Sequence, residues 1–380
     1  MTEIYLDNAA TTKPYVEVRD VMLRVMTDDF GNASSLHRRG AQAERAVAIA
    51  RQHIKTLVGT SDWDVLFTSG GTEANNLAVH TYCPKGKRNA VITSGMEHAS
   101  VIDTARLLAG RGCTLHVIGG GATGAVSPKA FAEKAGKDTA LVSVIHVANE
   151  MGTVQPVNEI ARAVKRIAPR VKVHVDAVQA AVQLTRLDYC REVDSVTISG
   201  HKIHGPQGVG ALLFRTGGAI KPLFCGGDQQ KGMRPGTLNL PAIVGMGEAA
   251  RITAEKRQAG VLAMHQRMTE FAARICGDEV YPLGDAAHRA AGMLVVGVTN
   301  VKSEVLLHTL EKYNVLASAG SACHSTRTAP PRCLVEAGLK PEDGVVRFSI
   351  QYETSEEELS QAASIFQSAL SEVRQGRAGI

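Results

Sequence analysis

No uncharged apolar stretch in this chain reaches the ~18 residues that a membrane-spanning helix requires. The best candidate, residues 290–298, is half that length. The opening residues Met1-Thr2-Glu3-Ile4 carry neither a basic region nor an apolar core, so no secretory leader is expected. Internal repeats, low-complexity tracts and Pro/Ser-rich linkers are also missing. Cysteine is sparse: seven residues, an odd count scattered from Cys83 to Cys333, with no C-x-x-C pair. That argues against a disulfide framework or a zinc site and for free thiols in a reducing cytoplasm. An excess of one charge is lacking as well, since 42 basic against 37 acidic side chains leave only +5. The short clusters Arg38-Arg39 and Lys85/Lys87/Arg88 therefore read as solvated surface, with no direct nucleic-acid partner and no membrane partner.

What is present is ordinary globular composition, 44% hydrophobic and 21% charged over 380 residues. A chain this long predicts two or three domains and can bury a core without a covalent staple. From about residue 63 to 215, short β-branched runs alternate with longer helical stretches. Strands are predicted at 64–68, 89–93, 114–118, 140–147, 172–175, 195–198 and 210–214. Helices are predicted between them at 74–80, 100–109, 128–134 and 157–167. Buried runs separated by helices indicate a mostly parallel sheet covered on both faces.

After Thr237 the texture changes. Residues 241–275 read as one long helix, entered by Asn239 and Pro241 and carrying an apolar face at Val261, Met264, Met268, Phe271 and Ile275. Strands near 292–299 and 345–350 and helices at 304–313 and 356–374 suggest a second, smaller α+β unit.

One motif is a decoy. Gly119-Gly120-Gly121-Ala122-Thr123-Gly124 follows a strand and matches the dinucleotide-binding glycine pattern. Its last glycine opens no helix, Ser127-Pro128 mark the helix start, and Asp138 comes too early for a ribose contact. The run reads as a surface turn.

Ligand crevices of open α/β sheets form at the carboxyl ends of parallel strands, and three such ends carry chemistry here. At 65–75 a strand stops at Ser69, Gly70 and Gly71 free the backbone, and a helix begins near Thr72. Its exposed N–H groups and the Thr72 hydroxyl suit a phosphate, though an ordinary capped helix start has the same look. In His174-Val175-Asp176-Ala177-Val178-Gln179 a carboxylate closes an apolar strand, where an unpaired charge is costly. A helix cap, a buried ion pair or a protonated pyridine nitrogen would each satisfy it. In Ser199-Gly200-His201-Lys202-Ile203-His204 a lysine sits just past a strand, where desolvation can lower its pKa as an imine-forming amine needs. His201 and His204 have a metal-like spacing but no third ligand, so no resident metal is expected. Phosphate, pyridinium and carbonyl together describe pyridoxal 5'-phosphate.

Further fragments sharpen the reading: Tyr5-Leu6-Asp7-Asn8-Ala9-Ala10-Thr11-Thr12, Gly31-Asn32-Ala33-Ser34-Ser35-Leu36-His37, Glu97-His98 and Asn149-Glu150-Met151-Gly152, then Arg234-Pro235-Gly236-Thr237 and Ser318-Ala319-Gly320-Ser321-Ala322-Cys323. With these, almost end to end, the chain resembles the cysteine desulfurases, pyridoxal-phosphate enzymes of the class V aminotransferase family. The resemblance implies the α/β transferase architecture of fold type I, with a mostly parallel central sheet in a large domain and a smaller α+β domain. Residues 13–255 would be the large cofactor-binding domain. Residues 1–12 and 256–380 would be the small C-terminal domain with the cysteine loop, joined by the helix at about 241–276.

The resemblance also assigns roles. Lys202 would carry the cofactor, Asp176 would hold its ring nitrogen, Gln179 would contact the ring hydroxyl, and His98 would stack on the ring and assist as acid or base. Thr72, Ser199 and His201 would bind the phosphate, with Thr237 reaching in from the other subunit of a homodimer. Arg347, aided by Asn149, would grip the carboxylate of the substrate L-cysteine.

Cys323 separates this activity from transamination. It lies in a polar, small-residue stretch, 317–331, that reads as a mobile loop, with His324 and Arg327 placed to lower its pKa. The other six cysteines read as packing residues. Cys323 would attack the substrate sulfur, leaving a persulfide and alanine, and pass the sulfur to an acceptor protein. It could also serve as a transient iron–sulfur ligand in a complex. Gln stands in the 226–230 segment where the family often has Glu, and Ala148 precedes Asn149 where a second Asn is common; neither removes a cofactor or substrate group. Only 33 residues follow Arg347, fewer than in housekeeping desulfurases, so a tRNA-thiolating enzyme is as plausible an acceptor as an iron–sulfur scaffold. Two alternatives remain: a selenocysteine lyase or another enzyme of the same fold, and an inactive member that persists as a binding partner.

Overall fold

The computed structural model describes residues 2–83, 89–320 and 331–377. A short strand β1 (Ile4–Tyr5) is followed by two helices, α1 (Val16–Thr27) and α2 (Arg38–Val58). Strands and helices then alternate: β2 (Trp63–Thr68), α3 (Gly71–Tyr82), β3 (Ala90–Ser94), α4 (Ala99–Ala109), β4 (Thr114–Ile118), α5 (Pro128–Lys134) and β5 (Thr139–Ile145). The alternation continues through α6 (Val157–Ile167), β6 (Lys172–Asp176), α7 (Ala180–Gln183), β7 (Ser195–Ser199) and β8 (Gly210–Arg215). Last come α8 (Leu240–Ile275), β9 (Val280–Pro282), β10 (Met293–Val298), α9 (Ser303–Lys312), β11 (Val315–Leu316), α10 (Arg332–Glu336), β12 (Gly344–Ser349) and α11 (Glu356–Arg377).

The central sheet has seven strands in the order β2-β8-β7-β6-β5-β3-β4. β3, β5 and β7 are buried at every position, which is why their sequences run apolar without alternation. All neighbours are parallel except β8, which runs antiparallel to both β7 and β2. The segment between β7 and β8 is too short for the dozen or more residues a parallel crossover needs, so the chain turns straight back. Because β2 is antiparallel to β8, it points the same way as β7. The carboxyl ends of β2, β3, β5, β6 and β7 therefore share one edge of the sheet. The glycine run at 119–124 forms a 3₁₀ turn at Gly121–Thr123, and the next helix starts only at Pro128.

A smaller antiparallel sheet, β12-β10-β9, lies in the second half of the chain. β1 pairs in parallel with β11, and Asp7 bridges Ser349 at the end of β12. We propose on this pairing that residues 1–12 group with 256–380, as the sequence suggested. One apolar core nevertheless runs from Ile4 to Val373 and joins both parts.

The two N-terminal helices were not among the elements expected from the sequence. α1 leaves Val16, Leu23 and Met26 59–63% exposed, so its apolar residues do not form a single buried stripe. α8 is more regular. Asn239 caps it by accepting the Ala242 N–H at 3.3 Å, and the face expected at Val261, Met264, Met268, Phe271 and Ile275 is buried. Its first half crosses α2 so closely that a Cβ on Gly247 would lie 2.6 Å from the Ala50 Cβ and 2.7 Å from its Cα. Gly247 thus permits the helix contact that backs the sheet. Gly247→Val should destabilise the fold by about 1–3 kcal/mol, read as a lower unfolding midpoint, and Ala50→Gly in the same chain should recover part of the loss. An unchanged midpoint would contradict the close approach.

Candidate active site

At the shared carboxyl edge of the sheet lies a cavity of about 260 Å³. Thr72 enters it from the first turn of α3, Asp176 from the last position of β6, and Ser199 from the end of β7. His201 and Lys202 follow in a 3₁₀ turn, Gln179 comes just after β6, and His98 stands at the N-cap of α4. Asn149 and Arg347 complete the set. Nine of the eleven residues singled out from the sequence therefore face one space. Thr237 is exposed and does not line the cavity. Cys323 lies outside the described residues.

The turn into α3 is rigidly built. Glu73 accepts the Ser69 N–H at 2.7 Å and forms a two-point pair with Arg234 at 2.9 and 3.2 Å. Burial alone would raise its carboxyl pKa, but Arg234 and the Ser69 contacts outweigh that and hold it below the usual range. A Cβ on Gly71 would sit 3.1 Å from Val178 and 3.6 Å from Ser199, so the first turn of the helix lies close against the loops after β6 and β7.

Asp176 is 2% exposed. One carboxylate oxygen accepts the Val178 N–H at 3.0 Å and the other accepts Asn75 Nδ2 at 2.7 Å. Burial pushes its carboxyl up, against the opposing pull of the Val178 N–H, His98, Asn75 and Lys202. A group so placed ionises more readily when a further cation comes beside it.

Asn75 was not singled out from the sequence, yet it organises the site. Its Nδ2 also donates to Ser100 Oγ at 2.8 Å, which leaves the Ser100 hydroxyl proton for His98 Nδ1 at 2.8 Å. His98 Nδ1 accepts the Ser100 N–H as well, at 3.2 Å. These bonds assign the proton of neutral His98 to Nε2. Asn75 Oδ1 in turn accepts from His174 Nε2 at 3.1 Å, and His174 Nδ1 accepts from Ser195 Oγ at 2.8 Å. Burial lowers the His174 pKa to about 3, so the ring stays neutral at physiological pH. One buried amide thus positions both Asp176 and His98.

The N-terminal segment supplies a second set of contacts. Lys202 Nζ donates to the carbonyls of Ala9 and Ala10, each at 2.5 Å. Gln179 Nε2 donates to the Ala9 carbonyl at 2.8 Å, and the Thr12 hydroxyl donates to the His201 carbonyl at 2.9 Å. Burial, then the Lys202 charge, lowers the His201 pKa to about 4. Arg347, on β12, pairs with Asp7 at 2.8 Å and donates to the Asn149 carbonyl at 2.6 Å. The fragment 5–12 was part of the sequence resemblance, but nothing local in it signals that its carbonyls meet a lysine some 190 residues later.

A fold and cavity of this kind define an enzyme whose sheet edge combines an amine, a buried carboxylate and a helix N-terminus. Residues 4–361 match the family described as aminotransferase class-V, and the chain belongs to that family, which is pyridoxal-phosphate-dependent. A protein named cysteine desulfurase from Bradyrhizobium diazoefficiens is 38% identical over 368 residues, covering 94% of this chain and 92% of the relative. Among solved structures, a NifS-like protein superposes with a TM-score of 0.89 at 29% identity, over 97% of this chain and 100% of that one. A structure titled SspA in complex with cysteine gives 0.78 at 28% identity, over 92% and 99%.

Glu97, beside His98, is a second buried acid. It accepts Ser94 Oγ at 2.5 Å and the Ile145 N–H at 2.7 Å, while its other oxygen has no hydrogen-bond partner. Burial, opposed by the Ser94 and Ile145 bonds and reinforced by Asp176, raises its pKa from 4.5 to about 8. Between those values the folded state holds a proton that the unfolded chain releases. The contribution is therefore full below pH 4.5 and is lost as pH rises through about 8. Unfolding measured from about pH 5 to about pH 9 should show a shallower loss of stability in Glu97→Gln than in the parent. Parallel curves would contradict the shift.

Proposed function

We propose that this chain is a cysteine desulfurase that uses pyridoxal 5'-phosphate to convert L-cysteine to L-alanine and passes the sulfur onward through Cys323. The observation that carries the proposal is the meeting of Lys202, Asp176 and Arg347 on one cavity, in a chain so closely related to cysteine desulfurases. The cavity's chemistry fits the cofactor. The first turn of α3 and the hydroxyls of Thr72 and Ser199, with neutral His201, offer donors to a phosphate. The fully buried Asp176 offers an anion to a ring nitrogen, and Gln179 a side-chain amide to a ring hydroxyl. When bound, pyridoxal phosphate supplies an electron-withdrawing ring that weakens the bonds at the α-carbon of an amino acid.

The chain's own groups do the rest. Arg347 is 2% exposed, is fixed by Asp7, and has an Nε without a partner, so it presents a prepaid positive charge to the substrate carboxylate, with Asn149 beside it. Lys202 would hold the cofactor and, once its amine is released, act as the base for the α-proton; the Ala9 and Ala10 carbonyls lie within hydrogen-bond reach of its Nζ. His98 keeps Nε2–H available for proton transfer. Cys323 then attacks the substrate sulfur: an S–S bond forms, the C–S bond breaks, and alanine leaves once reprotonated. The persulfide goes to an acceptor protein, an iron–sulfur scaffold or a tRNA-thiolating enzyme. The enzyme works as a cytoplasmic homodimer in which the partner subunit's Thr237 completes the phosphate site. No helix among the described residues is long and apolar enough to cross a membrane.

Purified protein given pyridoxal phosphate, L-cysteine and a thiol reductant should release alanine and sulfide in equal amounts. Cys323→Ala should keep the cofactor colour and lose persulfide formation. A variant that still makes alanine at the parent rate with an acceptor would refute the role of Cys323. Lys202→Ala should lower turnover by about 10²–10⁴-fold at unchanged fold, measured by alanine release. Parent-like turnover would remove Lys202 from the mechanism.

A further inference from the structure

Away from the cavity, Cys83 caps the C-terminal end of α3 and Cys113 stands one residue before β4. Their sulfur atoms lie 3.4 Å apart. Among the described residues no other two thiols come within hydrogen-bonding distance of each other. Asn89 holds the two ends in place: its side chain donates to the Gly112 carbonyl at 2.9 Å, and its own carbonyl accepts the Thr114 N–H at 3.2 Å. The Cys83 thiol also points to the Asn89 carbonyl, at 3.9 Å. Both cysteines belong to a small separate apolar cluster beneath α3 and α4, with Val79, Val91, Val101 and Leu108. The pair is therefore set by the packing of two helices and two strands and does not depend on a loose loop.

We propose that Cys83 and Cys113 form a reversible intramolecular disulfide, a modification site separate from the catalytic cavity. Closing the sulfurs to a bonded length needs a shift of about 1.4 Å, within reach of side-chain rotation. A peroxide or a small-molecule disulfide is the oxidant. Cys83 is 5% exposed and Cys113 half-buried, so the oxidant meets Cys113 first. With hydrogen peroxide, the Cys113 thiolate breaks the O–O bond, becomes a sulfenic acid and releases hydroxide, which takes up a proton as water. The Cys83 sulfur then displaces that hydroxyl: the S–S bond forms, the S–O bond breaks, and the thiol proton leaves with the hydroxyl as a second water. With a small disulfide the leaving group is its thiol. Burial, then the neighbouring Cys113, raises the Cys83 pKa to about 12, so Cys83 is not the thiolate that meets the oxidant; its place 3.4 Å from Cys113 makes it the resolving sulfur. A dithiol reductant returns two electrons and two protons and restores both thiols.

The bond would tie the trailing end of α3 to the segment that follows α4. The leading ends of the same two helices carry Thr72 and His98.

The test uses full-length holoprotein without substrate, reduced and then exposed to oxidised glutathione or to hydrogen peroxide. Free thiols are blocked with N-ethylmaleimide, and peptides are mapped without reduction. The expected result is a Cys83–Cys113 cross-linked peptide pair, loss of the maleimide adduct at both positions, and reversal by dithiothreitol. In Cys83→Ser, the glutathione adduct on Cys113 should accumulate about tenfold above the parent, because the resolving sulfur is gone. The proposal is overturned if Cys113 in that variant becomes glutathionylated while the parent shows no cross-link under the same conditions. It is overturned equally if Cys83 or Cys113 bonds preferentially to another cysteine.

Discussion

Asp7 and Arg347 are 340 residues apart in the chain and 2.8 Å apart in the fold. Their ion pair is the seam on which the rest of the site depends. Arg347 is 2% exposed, so its charge has left water and must be met inside the protein. Removing one partner of such a pair costs about 3–5 kcal/mol, because the other is left buried and uncompensated. Asp7 meets that charge, and its place is set by β1 pairing with β11 and by the bridge from Asp7 to Ser349. The residues that follow it, Ala9 and Ala10, then reach Lys202, and Thr12 reaches the turn that carries His201. The first dozen residues thus join the smaller sheet to the edge of the larger one.

The cavity also manages charge by withholding it. His174 and His201 are kept neutral by burial, and Glu97 is held protonated near neutral pH in part by Asp176. His201 lines the cavity and the other two stand behind it, so the site's surroundings add little net charge. Beside the Lys202 amine, Asp176 and Arg347 are the charges able to select a ligand, an anion toward a ring cation and a cation toward a carboxylate. Low dielectric around them strengthens both effects.

Much of this was legible in the sequence. Runs with no polar alternation, such as 139–145, have no reading other than burial on both faces, and the glycines and lysine after them marked the strand ends. The helix boundaries at 128–134 and 157–167 were read to the residue, since proline and charge patterns punctuate them. α1 was missed because its apolar residues do not fall on one stripe; α2 does bury one face, at Ala43, Val47, Ala50, Ile54 and Leu57, but much of that face is alanine, a weak apolar signal. Asn75 was missed because an asparagine inside a helix has no local mark of function; its value lies in three partners, Ser100 from α4 and His174 and Asp176 from β6.

By itself, the sequence determined the class of chemistry: a lysine beyond one strand, an aspartate closing another and glycines opening a helix are local signals, and periodicity places them on one edge of a sheet. Only the tertiary structure decided how those groups are held. The Ala9 and Ala10 carbonyls on Lys202, the amide that joins Asp176 to His98 and the ion pair that anchors Arg347 each unite segments far apart in the chain. Side-chain hydrogen bonds act over about 3 Å, and no pattern along a chain encodes which distant atoms folding will bring that close.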